Sequence, residues 1–172
     1  MENNIIIRET VKDDAPEMLT YLGQIGTETD FLTFRFGEEL QLSTAKLEQS
    51  IESIYNRKNA LNLVAKCDGK IIGNLKFSGG TKTRTAHTGE FGITVLKDYG
   101  GKGIGTRLLS KFIEWSRDSK LIRKINLRVR TDNEKAIHLY KKFGFVEEGI
   151  IKRDFLINEV FYDSIAMGLL ID

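Results

Sequence analysis

The stretch DYGGKGIGTRLL, residues 98–109, places four glycines within six positions, at Gly100, Gly101, Gly103 and Gly105. Glycine inside a helix costs about 0.5–1 kcal/mol relative to alanine, so such a cluster is useful where φ must be positive or where a ligand approaches the backbone closely. An apolar helical pattern begins directly after the glycines. The segment therefore predicts a loop that opens a helix and presents several backbone N–H groups, with the positive end of the helix dipole, to phosphate oxygens.

Two other glycine motifs do not fit this spacing. A Walker loop needs lysine directly after its last glycine, whereas Thr106 and Arg107 follow Gly105. The dinucleotide fingerprint G-x-G-x-x-G fails because its third glycine would fall on Thr106 or Leu108. A nucleotide-binding regulator is therefore disfavoured. Lys97, Lys102 and Arg107 flank the loop and would attract a polyanion.

The elements that must position this loop follow from periodicity and turn signals. Asp68-Gly69 predicts a tight hairpin between two apolar strands, because a type I′ turn needs positive φ at both central residues. Amphipathic patterns predict helices over residues 13–22, 43–58, 104–118 and 133–143, and strands over 4–9, 60–67, 70–80, 87–98, 124–130, 145–151 and 160–171. The order β-α-α-β-β-β-α-β-α-β-β predicts an α/β (α+β) fold, a twisted mixed sheet with helices on both faces.

Length, charge and cysteine content limit the classes of protein to which the chain can belong. The chain has 172 residues, and we expect a single domain over 1–172. Its net charge of +2 comes from 26 basic and 24 acidic residues spread evenly, which does not favour nucleic acid. No apolar run approaches the roughly 18 residues of a membrane span, and the N-terminus has no signal-peptide pattern, so we expect a cytoplasmic protein without a membrane partner. Cys67 is the only cysteine and there are two histidines, so no metal site is expected.

Two motifs together resemble a known family. YGGKGIGTRLL is similar to motif A of the GCN5-related N-acetyltransferase (GNAT) superfamily, Gln/Arg-x-x-Gly-x-Gly/Ala, and NEKAIHLYKKFGF, residues 133–145, is similar to its next motif. Gly100 stands where arginine or glutamine is usual. The C-terminal segment resembles the ribosomal-protein, diamine and antibiotic N-acetyltransferases. The resemblance implies a single GNAT domain with about seven mostly antiparallel strands and about four helices, and transfer of the acetyl group of acetyl-CoA to a primary amine in a ternary complex.

The resemblance also implies roles for individual residues. The backbone of Ile93 and Val95 would pair with the pantetheine arm, and a main-chain N–H would polarise the acetyl carbonyl. Asn133 would cap its helix and contact the cofactor, and Tyr140 would lie near the sulfur as general acid toward the thiolate. The pyrophosphate would be held by the loop residues Gly101, Lys102, Gly103, Ile104, Gly105 and Thr106.

Several alternatives stay open at this stage. Glu90 is the candidate general base, through water, or else it orients the substrate; His87 is a weaker candidate. Phe31, Phe34 and Phe36 form either a substrate gate or loop anchors on the core. The acceptor is either a small amine or a peptide N-terminus, and a homodimer through an exposed sheet edge is compatible with a domain of this size. The alternative function is a non-catalytic module that binds or senses acyl-CoA.

Overall fold

A computed structural model describes residues 4–32 and 41–172. Within these ranges, seven strands form one sheet in the order β1-β2-β3-β4-β5-β7-β6. All neighbouring strands are antiparallel except β4 and β5, which are parallel. This arrangement confirms the predicted mixed, mostly antiparallel sheet. The strands are β1 (Ile5–Glu9), β2 (Ala60–Cys67), β3 (Lys70–Gly79), β4 (Thr88–Val95), β5 (Lys124–Arg130), β6 (Val146–Ile157) and β7 (Val160–Leu170).

Among the residues that the structure describes, four α-helices cover the two faces of the sheet. They are α1 (Ala15–Glu28), α2 (Thr44–Tyr55), α3 (Ile104–Asp118) and α4 (Glu134–Lys142). On one face, the rings of Phe77 in β3 and Phe112 in α3 lie 5.0 Å apart. On the other face, Tyr21 of α1 hydrogen-bonds through its hydroxyl to Thr94 Oγ1 of β4 at 2.7 Å. In the described part of the chain, no helix is long and apolar enough to cross a membrane.

Helix α1 is longer than predicted. The sequence predicted an end near residue 22, but the helix continues to Glu28. Tyr21 and Ile25 are both buried on its inner face, and that packing outweighs the cost of Gly23 and Gly26 in the helix. A hydrogen bond joins its last turn to the segment after β4: Glu28 Oε2 accepts from the Lys97 N–H at 2.7 Å.

Two further sequence predictions need correction. Helix α2, predicted to end at residue 58, ends at Tyr55, which is 62% exposed because the buried face runs through Leu47, Ile51 and Ile54. Strand β6 extends six residues beyond the predicted end at residue 151 and turns into β7 through Asn158 and Glu159, both with positive φ. Asparagine adopts that conformation more readily than most residues but glutamate rarely does, so Asn158-Glu159 is a weaker hairpin signal than Asn-Gly or Asp-Gly. The Asp68-Gly69 hairpin is confirmed, with φ of 49° and 81°.

Candidate active site

The parallel strands β4 and β5 pair over only three residues and then separate. Thr88, Gly89 and Glu90 of β4 pair with residues 124–126 of β5. Beyond this point β4 continues to Val95 and β5 to Arg130, and no described strand pairs with β4 on that side. We call this gap, lined on one side by residues 91–95, the β4 opening. It leaves unpaired backbone groups at the centre of the sheet, which is unusual because buried or central strand edges are normally satisfied.

The backbone of Ile93 and Val95 points into the β4 opening. At the two ends of the β3–β4 ladder, Gly80 N–H donates to Thr88 O and Leu96 N–H donates to Ile72 O, each at 2.9 Å. Because N–H and C=O groups alternate sides along an antiparallel strand, even-numbered residues of β4 bond to β3 and odd-numbered ones face away. Ile93 and Val95 therefore offer donors and acceptors spaced as on the edge of a sheet.

The glycine loop follows β4 and lies at the start of α3. Gly101 and Gly103 both have φ of 75°, and no described atom lies within 4 Å of the position that a Cβ would occupy at either residue. Gly103 precedes the helix without a side-chain cap, so the first N–H groups of the 15-residue helix α3 have no partner from a capping side chain. Ile104 is buried beneath the loop, whereas Lys102 is exposed and Gly105 and Thr106 are half-buried. The loop thus forms an open cradle of N–H groups.

Two of the three cations that flank the loop in sequence are directed to other partners. The Lys102 ammonium lies 5.0 Å from the centroid of the Tyr99 ring. Arg107 donates from Nη2 to the carbonyl of Ile5 in β1 at 3.0 Å, which turns it toward the edge of the sheet. Lys102 and Arg107 are neighbours of the loop in sequence, but the position of each charged group is set by its contact with Tyr99 or Ile5.

Helix α4 packs beside the start of α3. A Cβ added at Gly105 would lie 3.7 Å from Leu139 Cδ2, so the first turn of α3 passes close to α4. Asn133 caps α4, since its Oδ1 accepts a hydrogen bond from the Ala136 N–H at 3.3 Å, which agrees with the predicted capping role. This bond uses the amide oxygen of Asn133 and leaves its NH₂ group for another acceptor.

Tyr140 lies on the buried side of α4, beside the start of the β4 opening. Its ring meets the Phe91 ring edge to face with the centroids 5.8 Å apart, and it is 8% exposed. Burial raises the pKa of Tyr140 to about 12. The hydroxyl makes no hydrogen bond to another group within the described ranges 4–32 and 41–172. A protonated phenol therefore stands next to the unpaired strand.

Glu90 belongs to an ion-paired cluster on the α1 side of the sheet. Its Oε1 lies 3.3 Å from Arg128 Nε, and Arg128 Nη1 lies 3.2 Å from Asp154 Oδ1. Glu90 is half exposed, and Asp154 is largely buried. The cluster holds two carboxylates against one guanidinium. His87 is exposed and precedes β4, at the end where β4 and β5 are paired.

Gly92, which belongs to none of the predicted site motifs, lies between Glu90 and Thr94 on the same face of β4. It is exposed although β4 is a central strand, and no described atom lies within 4 Å of its Cβ position. Glycine inside a strand often marks a close approach of a ligand, and that signal was available in the sequence. Gly92 gives the β4 opening access from the α1 side.

The aromatic loop after α1 is described only at its start. Phe31 is 44% exposed, and its ring centroid lies 4.8 Å from Cζ of Arg130. Arg130 also lies 3.8 Å from the centroid of Tyr162 and binds Asp132 through Nη2 at 2.7 Å. Phe34 and Phe36 fall outside the described residues. No group of three or more His, Cys, Asp or Glu side chains suited to a metal occurs in the described part of the chain.

Comparison with known proteins agrees with this geometry. The sequence model of the Acetyltransferase (GNAT) family matches residues 28–145. The L-amino acid N-acetyltransferase AaaT of Escherichia coli K12 is 33% identical over 117 residues, which cover 68% of this chain and 72% of the relative. The spermidine N(1)-acetyltransferase of the same strain is 28% identical over 152 residues, covering 88% of this chain and 80% of the relative.

A solved structure extends the similarity to the whole fold. The crystal structure of an acetyltransferase of the GNAT family from Streptococcus pneumoniae superposes with a TM-score of 0.94 at 34% identity. The match covers 98% of this chain and 100% of that one.

Proposed function

The chain belongs to the GNAT acetyltransferase family and is an acetyl-CoA-dependent N-acetyltransferase, and we propose that it acetylates a primary aliphatic amine by direct transfer in a ternary complex. The observation that carries this proposal is the unpaired edge of β4 beside the glycine loop. A cosubstrate lying along this edge would have its thioester near Phe91 and its phosphates at the start of α3. The acceptor would then reach the thioester from the α1 side.

In this proposal, the backbone of Ile93 and Val95 binds the amide groups of the pantetheine arm as a neighbouring strand would. The N–H groups of the loop residues Gly101, Lys102, Gly103, Ile104, Gly105 and Thr106 bind the pyrophosphate at the positive end of α3. The NH₂ group of Asn133 donates to the cosubstrate while its oxygen caps α4. Acetyl-CoA supplies the activated acetyl group, and the protein supplies its orientation.

Tyr140 is proposed to stabilise the departing thiolate. A coenzyme A thiol should resemble cysteine, with a pKa near 8.5, so complete proton transfer from a phenol of pKa about 12 would be uphill by about 5 kcal/mol. Tyr140 therefore acts chiefly by donating a hydrogen bond as negative charge develops on the sulfur. A main-chain N–H of β4 plays the same part for the acetyl oxygen.

Glu90 is proposed to receive the acceptor. An aliphatic amine has a pKa of about 10 and arrives as an ammonium at neutral pH, so it must lose a proton before it attacks. The cluster of Glu90, Arg128 and Asp154 has one carboxylate in excess, which attracts a cation. Glu90 then takes the proton through a water, and the open space at Gly92 admits the neutral amine to the thioester. L-amino acids and spermidine, named for the two relatives above, both carry such an amine.

The proposal is tested by release of free coenzyme A over a panel of amino acids, polyamines, aminoglycosides and N-terminal peptides, with mass spectrometry of the products. We expect at least one aliphatic primary amine to be acetylated. Binding of acetyl-CoA without release on any amine would instead support the alternative, a non-catalytic acyl-CoA-binding module. A cytoplasmic location and a homodimer remain predictions; β6, the edge strand, is exposed along most of its length and is where a partner copy would pair.

A further inference from the structure

Gly100 leaves the glycine loop without the arginine or glutamine that the GNAT motif usually has there. Its backbone does not require glycine, because φ is −64° and ψ is 148°, a conformation open to any residue. A Cβ at this position would lie 3.1 Å from the Lys97 carbonyl oxygen and 4.0 Å from Nζ of Lys135. The volume that a side chain at position 100 would enter is thus already reached by an ammonium group from another element.

Lys135 comes to this point from the first turn of α4, 35 residues further along the chain. Residues i and i+4 share one face of a helix, so Lys135 and Leu139 lie on the same side of α4. Leu139 faces Gly105 at the start of α3, and Lys135 faces Gly100 at the start of the loop. Lys135 is exposed and takes part in no ion pair within the described ranges. Of the three cations nearer in sequence, Lys102 lies over the Tyr99 ring and Arg107 donates to the Ile5 carbonyl, while Lys97 is exposed and precedes the loop.

Building on the proposed acetyl-CoA site, we infer that Lys135 supplies the cation for the pyrophosphate that the side chain at position 100 does not. It does so as a point charge beside the N–H cradle, from the α4 side of the loop. An ammonium suits this role because its three donors rotate freely and a phosphate oxygen accepts from any direction. Because Gly100 has no side chain, the space beside the loop is open to the ammonium group of Lys135.

The test is calorimetric titration with acetyl-CoA of the wild-type protein and of the K135A variant. We expect K135A to bind about tenfold more weakly, the effect of one solvent-accessible charge-assisted hydrogen bond. The control is K142A, which removes another exposed lysine from the same helix about 10 Å away and should bind like the wild type. Both variants should keep the wild-type melting temperature, because neither side chain is buried.

Introducing arginine at position 100 provides a second readout. In the K135A background, G100R should recover most of the lost affinity, whereas in the wild-type background it should add little, because both cations compete for one volume. If Lys135 had only a structural role, the effect of G100R on acetyl-CoA affinity would not depend on whether Lys135 is present. Equal affinity of K135A and wild type, or additive effects of the two changes, would overturn the inference.

The phosphate involved is identified with 3′-dephospho-acetyl-CoA. The ratio of K135A to wild-type affinity should persist with this ligand, and its disappearance would assign Lys135 to the 3′-phosphate and overturn the inference. With S-acetylpantetheine as donor, which lacks the pyrophosphate, the two proteins should show equal kcat/KM. If the wild-type protein does not bind acetyl-CoA, the proposed function fails and this inference fails with it, which is distinct from failure of Lys135 alone.

Discussion

The rings of Phe91 and Tyr140 meet edge to face, with their centroids 5.8 Å apart, and this contact fixes a phenol at the point where β4 leaves β5. Because the Tyr140 hydroxyl makes no hydrogen bond within the described part of the chain, its removal should cost the fold little. We predict that Y140F lowers kcat about 100-fold, the effect of removing one hydrogen-bond donor to a developing negative charge, while the Kd for acetyl-CoA and the melting temperature stay unchanged. Steady-state kinetics and calorimetry check this.

The control for Tyr140 is Y55F, which removes a hydroxyl from an exposed tyrosine of α2 and should leave kcat unchanged. The pH profile gives an independent check. Since the pKa of Tyr140 is raised to about 12, its proton is lost only at strongly alkaline pH, and kcat should not fall between about pH 8 and 10. A kcat of Y140F equal to that of the wild type would refute the role of Tyr140. So would a decrease in wild-type kcat centred near pH 10 that Y140F abolishes.

Glu90 has two possible parts, proton acceptor or substrate anchor, and one variant separates them. E90Q keeps the shape of the side chain and removes its charge. If Glu90 takes the proton, kcat should drop about 10- to 100-fold at neutral pH and recover as the pH approaches the pKa of the amine, about 10, where the amine loses its own proton. If Glu90 only orients the acceptor, KM rises and kcat stays.

The comparison variant for Glu90 is D154N, which removes the other carboxylate bound to Arg128. We predict a smaller loss of kcat in D154N than in E90Q, because only Glu90 lies on β4 beside the opening. Equal losses in the two variants would mean that the cluster acts through its total charge and not through Glu90.

Gly92 should control access of the acceptor. Valine suits a β-strand, and no described atom lies within 4 Å of the Cβ position, so G92V should fold at least as stably as the wild type. We predict that it raises the KM for the best amine of the panel about tenfold and leaves acetyl-CoA affinity unchanged. The KM of G92A for this amine should lie between the values for the wild type and G92V. An unchanged KM in G92V would show that the acceptor enters elsewhere.

Asp14 should govern stability in acid. It is 4% exposed and accepts hydrogen bonds from Arg8 at 2.6 and 2.8 Å, from Lys66 at 3.2 Å and from the Val11 N–H at 2.9 Å. Burial opposes its ionisation, but these donors outweigh that effect and hold the pKa of Asp14 well below its usual value. We predict that D14N lowers the free energy of unfolding by about 2–3 kcal/mol at neutral pH, because it leaves charged partners uncompensated.

The sign of the pH effect follows from the lowered pKa. The stabilisation from Asp14 is complete above its unfolded-state pKa, near 4, and is lost as the pH falls below that value. Wild type and D14N should therefore converge in stability between neutral pH and about pH 2, measured by urea unfolding. D13N, which changes the exposed neighbour, should track the wild type throughout. A constant difference between D14N and wild type down to pH 2 would contradict the assignment.

Local patterns predicted most of the fold, because helices, strands and tight turns have their own periods and turn residues. The Asp68-Gly69 hairpin, whose two central residues have φ of 49° and 81°, is local in this sense. The β6–β7 hairpin was missed, because its central pair is Asn158-Glu159, both with positive φ, and glutamate stands where a type I′ turn favours glycine. Helix α1 was underestimated because burial of Ile25 is a tertiary effect.

The candidate site was predictable in its motifs and not in its spatial relations. The glycine loop and the Asn133 cap each depend on a few consecutive residues, so a short stretch of sequence predicts them. Separation of β4 from β5 depends on the register of strands that are distant in the chain, which no local pattern encodes. Lys135 could not be connected with Gly100 for the same reason, since the two meet only when α4 packs against α3. Gly92 did leave a signal, a glycine at the centre of a strand.

The central claim is that acetyl-CoA pairs with the open edge of β4, and residue-resolved amide hydrogen exchange tests it most directly. At acetyl-CoA 100 times its Kd, exchange at the Ile93 and Val95 amides should slow about 100-fold, because exchange there requires release of the ligand. The Gly92 and Thr94 amides, which face β3, should change much less. Exchange at Ile93 and Val95 that stays unchanged while acetyl-CoA is bound would contradict the account.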